Sequence, residues 1–151
     1  MDGTTVEPEQ LWFLGNLITV RVSREQCGGL YSLLECAGAK GDSPPPHVHH
    51  DEDEVFHVIQ GELALTIDGE TSTVPAGETA FAPRGVPHTY RVESERARWL
   101  VLTAPGEFES FVRAASRPAE QATLPPHVEP TPEAVAGLAR LSATHGIELL
   151  V

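Results

Sequence analysis

The sequence is short of cysteine, of positive charge and of long apolar runs, and each shortage removes a class of protein. Cys27 and Cys36 are the only cysteines in 151 residues. Two are too few for a disulfide scaffold, and they read as small buried side chains in a reducing compartment. Ten basic residues, of which Lys40 alone is lysine, stand against 22 acidic ones for a formal net charge of −12. The densest basic stretch, Arg91, Arg96 and Arg98, is interrupted by Glu93 and Glu95. Such a surface repels phosphate backbones and anionic lipid alike, so neither nucleic acid nor a membrane is an expected partner. No run approaches the ~20 apolar residues of a membrane span. The opening Met1-Asp2-Gly3 lacks the charge and apolar stretch of a secretory leader, and a cytoplasmic protein is expected.

What is present suits one globular domain. Apolar residues make up 40% and charged residues 21%, which fits a folded core. The length allows a core that needs no staple. Between residues 11 and 103 the chain reads as short strands: Leu11–Val22 with a bend at Gly15, Gly29–Ala37, Glu54–Gln60, Glu62–Asp68, Thr71–Val74, Thr79–Ala82, His88–Glu93 and Arg96–Thr103. Frequent turn signals, among them Asp68-Gly69 and Pro75-Ala76-Gly77, point to an antiparallel sandwich or barrel. The last third changes character. Phe108, Phe111 and Val112 give Glu107–Ala115 the stripe of a helix lying on the barrel. Residues 118–132 carry five prolines, from Pro118 to Pro132, and read as an extended connection. Thr131-Pro132-Glu133 then starts a second helix, with Val135, Leu138, Ala139 and Leu141 as its buried stripe and Gly146 as its stop. The division is a barrel over 1–104 and an arm over 105–151 that packs on it within the same domain.

Four of the seven histidines, His47, His49, His50 and His57, fall in an eleven-residue stretch with Asp51, Glu52, Asp53 and Glu54 among them. A dense run of this kind is by itself a solvated loop as readily as a site. The spacing points to a site. His47 and His49 are two apart, so on a strand their imidazoles leave the same face. Glu54 opens the next strand in phase with Phe56 and Val58. His88 follows the Pro83-Arg84-Gly85-Val86-Pro87 turn, where an adjacent strand could bring it alongside. Three imidazoles and one carboxylate suit a divalent first-row metal. Four other histidines read otherwise: His50 and His57 are out of phase and face outward, while His127 and His145 lie in the arm. Asp51, Glu52 and Asp53 read as a solvated bend. Phe56, Phe81 and Tyr90 are candidate lining for an aromatic substrate pocket, and otherwise core. Tyr31, Leu33 and Glu35 share a face that is either outward or inward; inward, Glu35 would be a buried carboxylate. Trp12 and Trp99 read as packing or as a subunit contact.

These residues also carry a family resemblance. Gly41, His47, His49, Glu54 and Gly61 are separated by five, one, four and six residues, like the first motif of the cupin family. Gly77, Pro83, Gly85 and His88 are separated by five, one and two, like the second. The asparagine that often ends the second motif is Val92 here; it is not a ligand position. The resemblance implies an all-β fold with C-terminal helices, a double-stranded β-helix (jelly-roll) barrel, with His47, His49, Glu54 and His88 as ligands to one divalent transition metal, Fe, Ni, Co, Mn, Cu or Zn. Phe13–Thr19, Cys36–Gly41 and Gly106–Phe111 further resemble bacterial single-domain quercetin 2,3-dioxygenase-like proteins. That likeness implies a metal-dependent dioxygenase cleaving a flavonol-like or other enolisable substrate with O₂, with Glu54 as both ligand and general base. The alternatives are a metal-dependent cyclase or isomerase, and a small-molecule-binding protein without turnover. Exposed edges of an open jelly roll need cover, and cupins commonly pair, so a homodimer is expected.

Overall fold

The computed structural model describes residues 7–151; the leader reading at Met1-Asp2-Gly3 lies outside the described residues. The chain begins with a hairpin of β1 (Gln10–Phe13) and β2 (Asn16–Val22). The bend at Gly15 is therefore a full reversal: Phe13 pairs with Asn16, and Leu14 supplies the positive φ of 53° that a tight hairpin turn requires. Next come β3 (Ser32–Ala39), β4 (His47–His49), β5 (Asp53–Gln60), β6 (Glu62–Ile67), β7 (Glu70–Pro75), β8 (Thr79–Ala82), β9 (His88–Val92) and β10 (Arg96–Ala104). The arm holds α1 (Glu107–Ala115), β11 (Arg117–Pro118), α2 (Pro132–Ala143) and β12 (Ile147–Leu149). Among the described residues no helix is long and apolar enough to cross a membrane.

Among the described residues all strand pairings are antiparallel. A seven-stranded sheet runs β11-β1-β2-β3-β10-β5-β8, and a five-stranded sheet runs β12-β4-β9-β6-β7. The facing sheets form a jelly roll. Burial alternates residue by residue along β5 and β10, as a strand with one face on a core must. Trp99, Phe56, Leu34, Val58, Leu63, Leu65 and Val92 fill the space between the sheets.

The alternation along β3 buries Ser32, Leu34 and Cys36, which settles the face left open by the sequence. Leu33 and Glu35 look outward, and Glu35 pairs with Arg21 at 3.1 Å and Arg98 at 3.3 Å. Trp99 is a core residue, and Trp12 is buried with its indole N–H donated to the Thr123 carbonyl at 2.8 Å.

The arm departs from expectation in one respect. α2 begins as its sequence dictates, with Thr131 accepting from the Ala134 amide at 3.1 Å and Pro132 behind it. Its stripe is only half-buried, through Leu138 and Leu141. After Gly146, however, the chain continues as a strand, β12, which lies along β4 with Ile147 opposite His49 and Leu149 opposite His47. Three residues give too little periodicity for a strand to be seen in sequence. The pairing covers an edge that β4 would otherwise expose.

Gly61 shows how tightly the β5–β6 turn is closed. Its φ is +80°, and a Cβ there would overlap the Arg96 carbonyl and the Ser94 hydroxyl. Gly61→Ala is expected to lower stability by about 1–3 kcal/mol from backbone strain alone, read as a lower urea midpoint; an unchanged midpoint would contradict this packing.

Candidate metal centre

The register of three strand pairs brings four side chains together. His47 lies directly opposite His88 in the β4–β9 pair. Two residues on, His49 leaves the same face of β4. Glu54 lies on the inward face of β5, opposite Thr103 of β10 and Ala82 of β8. One potential ligand atom from each of His47, His49, Glu54 and His88 lies within 4.8 Å of all the others. His49, Glu54 and His88 are 2–3% exposed and His47 9%, so the cluster is nearly dry.

Hydrogen bonds at the back of each ring fix which nitrogen faces inward. His47 Nδ1 lies 2.9 Å from the Pro45 carbonyl, and His88 Nδ1 lies 3.1 Å from the Val86 carbonyl. Carbonyls only accept, so both Nδ1 atoms carry the proton and donate. His49 Nδ1 lies 3.0 Å from Glu52 Oε1, again facing an acceptor. All three Nε2 atoms are thereby free to present lone pairs inward. Two of them meet the Glu54 carboxylate: Oε2 is hydrogen-bonded to His88 Nε2 at 2.7 Å, which places a proton between these two acceptors in the metal-free protein, and lies 3.1 Å from His49 Nε2. The latter approach makes no hydrogen bond, and His49 Nε2 is buried without a partner. A ring of acceptors in a dry interior is unfavourable unless a proton or a metal ion sits among them. The donor set and its geometry therefore fit a divalent cation.

Residues 35–103 match the cupin domain family. The uncharacterized protein SCO3923 of Streptomyces coelicolor is 39% identical over 84 residues, covering 56% of this chain and 74% of that protein. The chain is a cupin. Quercetin 2,3-dioxygenase of Bacillus subtilis is 35% identical over 121 residues, which cover 80% of this chain. The cupin spans only 36% of that enzyme's length. Among solved structures, the polyketide cyclase RemF from Streptomyces resistomycificus superposes with a TM-score of 0.57 at 23% identity, over 70% of this chain and 80% of that one; this is a likeness of fold.

The three candidate pocket aromatics separate in the cupin. Phe56 is fully buried beside the cluster, its ring centroid 6.0 Å from that of His88. Tyr90 lies behind it, 6.3 Å from Phe56 and 5.1 Å from Trp99, and its hydroxyl is given to Asn16 at 3.1 Å and Asp42 at 3.3 Å. Tyr90 is thus tied into a polar cluster within the core. Phe81 does not line the interior: it is 54% exposed. The β5–β8 register gives the reason, because Glu54 opposes Ala82 while Phe81 opposes Val55, and paired residues share a face.

The remaining histidines stay outside the cluster. His57 bonds Thr79 Oγ1 at 2.8 Å, His50 pairs with Glu148 at 3.1 Å, His127 with Glu129 at 2.9 Å and His145 with Glu107 at 2.7 Å. Two features escaped the sequence reading. The acid run is no uniform solvated bend: Asp51 is exposed, but Glu52 is 3% exposed and holds His49. Asn16 and Asp42, joined at 2.7 Å, carry no motif that marks them.

Electrostatics at the cluster follow from burial and mutual charge. Burial would raise the Glu54 carboxyl, but His49, His88 and His47 outweigh it and hold it at about 2. Burial and the neighbouring His88 charge lower His47 to about 4. Burial opposes a charge on His49 as well, yet Glu54 and Glu52 outweigh it and raise this histidine above its ordinary value. In metal-free protein His47 binds its proton less readily folded than unfolded, so unfolding is favoured as pH falls from about 6.5 to about 4. That loss is expected to be on the order of 3 kcal/mol. Urea denaturation across this window should show the slope, and His47→Asn should flatten it; identical slopes would show that His47 is not the source.

Proposed function

We propose that this cupin is a metal-dependent dioxygenase that opens a flavonol-like or other enolisable aromatic substrate with O₂. His47, His49, Glu54 and His88 hold one divalent ion, and Glu54 doubles as the base. The observation that carries this reading is the 35% identity to Bacillus subtilis quercetin 2,3-dioxygenase over 121 residues, coupled to a buried cluster of three histidines and a glutamate. Residues 105–151 belong to the same functional unit, since β12 pairs with the strand bearing His47 and His49.

The ion, when bound, supplies Lewis acidity for a substrate oxygen. The chain's own part is positional and protonic. Three Nδ1 donors hold the imidazoles in one tautomer, with no reorganisation left to the moment of reaction. Glu54 is ionised at neutral pH, so one of its oxygens can accept the substrate's hydroxyl or enol proton at short range. A carboxylate held this low is a weak base, and the transfer works on a substrate proton that has itself been made acidic. Phe56 and the surrounding core exclude water that would compete for an activated carbanion.

Metal-stripped protein reconstituted in turn with Fe, Ni, Co, Mn, Cu and Zn and given a flavonol panel is expected to consume O₂ with at least one ion. His49→Ala should abolish uptake, and Glu54→Gln at saturating metal should lower kcat roughly 10²–10⁴-fold. Turnover that proceeds without O₂ would replace the dioxygenase by a cyclase or isomerase using the same base. Silence across the panel with metal bound would favour a binding protein.

A further inference from the structure

Glu52 stands within the acid run and is not one of the four converging side chains, yet it is as buried as they are, at 3% exposure. Its two oxygens are both engaged. Oε1 lies 3.0 Å from His49 Nδ1, and Oε2 accepts the Gly106 backbone N–H at 3.1 Å. Gly106 is itself pinned. It stands immediately before α1 with φ of 99°, and a Cβ there would press on the backbone of Tyr31 and Ser32 at 2.9–3.0 Å. At the second residue of the helix, Phe108 lays its ring against His49, centroids 5.5 Å apart. His49 is thus clasped from two sides by elements that Glu52 joins.

We propose that Glu52 is a positioning residue for the metal centre: a buried carboxylate that keeps His49 in the Nδ1–H tautomer with Nε2 aimed inward, and ties that ring to the start of α1. The proposal rests on the reading of His49 as a metal ligand. The chemistry requires a carboxylate and not merely a polar side chain. Glu52 faces two donors, the imidazole N–H and the Gly106 amide, and must accept from both. A glutamine can accept through its one oxygen only. If that oxygen serves Gly106, its NH₂ faces His49 Nδ1 and favours the opposite tautomer, whose Nε2 carries the proton and cannot ligate. If it serves His49, the amide confronts the Gly106 N–H donor to donor. His47 and His88 need no such partner, because backbone carbonyls hold them. Of the three rings, His49 depends on a side chain that substitution can change.

The test uses Co²⁺ as probe. Its affinity is measured by competition with a chromogenic chelator for wild type, Glu52→Gln, Glu52→Ala and, as a neighbouring carboxylate control, Asp51→Asn. The Co²⁺-loaded proteins are also examined by NMR for exchangeable ring N–H signals shifted by the metal, one for each ligating imidazole. Both Glu52 variants are expected to lose about 10–100-fold in affinity, the range for removing a partner behind a ligand. Each should also lose or broaden one of the three ring N–H signals, while Asp51→Asn keeps wild-type affinity. A merely structural role would lower stability without removing one ring's signal. Wild-type affinity within twofold in both variants, with all three signals kept, overturns the proposal and leaves the metal reading standing. Failure of the wild type itself to bind Co²⁺ overturns both. An open pocket of about 320 Å³ lined in part by Glu52 gives water a route to the space left in Glu52→Ala. Should neither variant fold, wild type still decides: the His49 ring N–H must exchange slowly in D₂O, and immediate exchange overturns the assignment.

Discussion

Four acceptors pointing at one another in a dry space set the terms for this molecule. Three imidazole Nε2 lone pairs and a carboxylate converge where almost no water reaches. Such acceptors repel one another unless a proton or a cation lies between them: a proton joins His88 Nε2 to Glu54 Oε2 at 2.7 Å in the metal-free protein, and a cation among the four relieves the whole set. The surrounding hydrogen bonds all serve to keep the acceptors facing inward. The ring N–H groups of His47 and His88 donate to the backbone carbonyls of Pro45 and Val86, and that of His49 donates to the carboxylate of Glu52. The tautomers are thus built into the fold before any ion arrives, and little ordering cost remains for binding.

The strand that carries two of the four is the least self-sufficient in the barrel. β4 has three residues and meets β9 at the single pair His47–His88. Its other edge is closed by β12, which arrives from the far end of the described chain. α1 closes the same corner from outside, with Phe108 against His49 and Glu52 accepting from Gly106. The arm therefore belongs to the architecture of the site, and its Pro-rich connection is the path by which the chain returns to it.

Much of this was legible in the sequence because period-2 patterns survive folding. His47 and His49 share a face, Glu54 is in phase with Phe56, and His50 and His57 are out of phase; all of these follow from strand alternation. An antiparallel sandwich or barrel follows from short strands divided by turn residues, and the jelly roll from the cupin resemblance. Phase within a strand is a different matter from phase between strands. Phe81 alone reads as candidate pocket lining or core, and its pairing with Val55 turns it out. The face of β3 was undecidable because apolar residues occur on both sides, and only the β2 and β10 registers fix it. β12 is invisible in the sequence because it is held by pairing and carries no pattern of its own. Glu52 is not legible because a buried carboxylate looks no different in sequence from the exposed Asp51 beside it; an acid three residues beyond a candidate ligand histidine is the one hint. The Asn16–Asp42–Tyr90 cluster gave no hint, since its members come together only through long-range topology.

On the proposed reading, His47, His49, Glu54 and His88 together hold one metal ion. Anomalous diffraction from crystals of the protein loaded with Co²⁺ or Ni²⁺ tests it directly. One peak per chain is predicted, at bonding distance from Nε2 of His47, His49 and His88 and from a Glu54 oxygen. Loaded crystals whose cluster shows no peak, or whose peak is held through Nδ1 or by the surface carboxylates alone, would show that the four side chains are not one metal site.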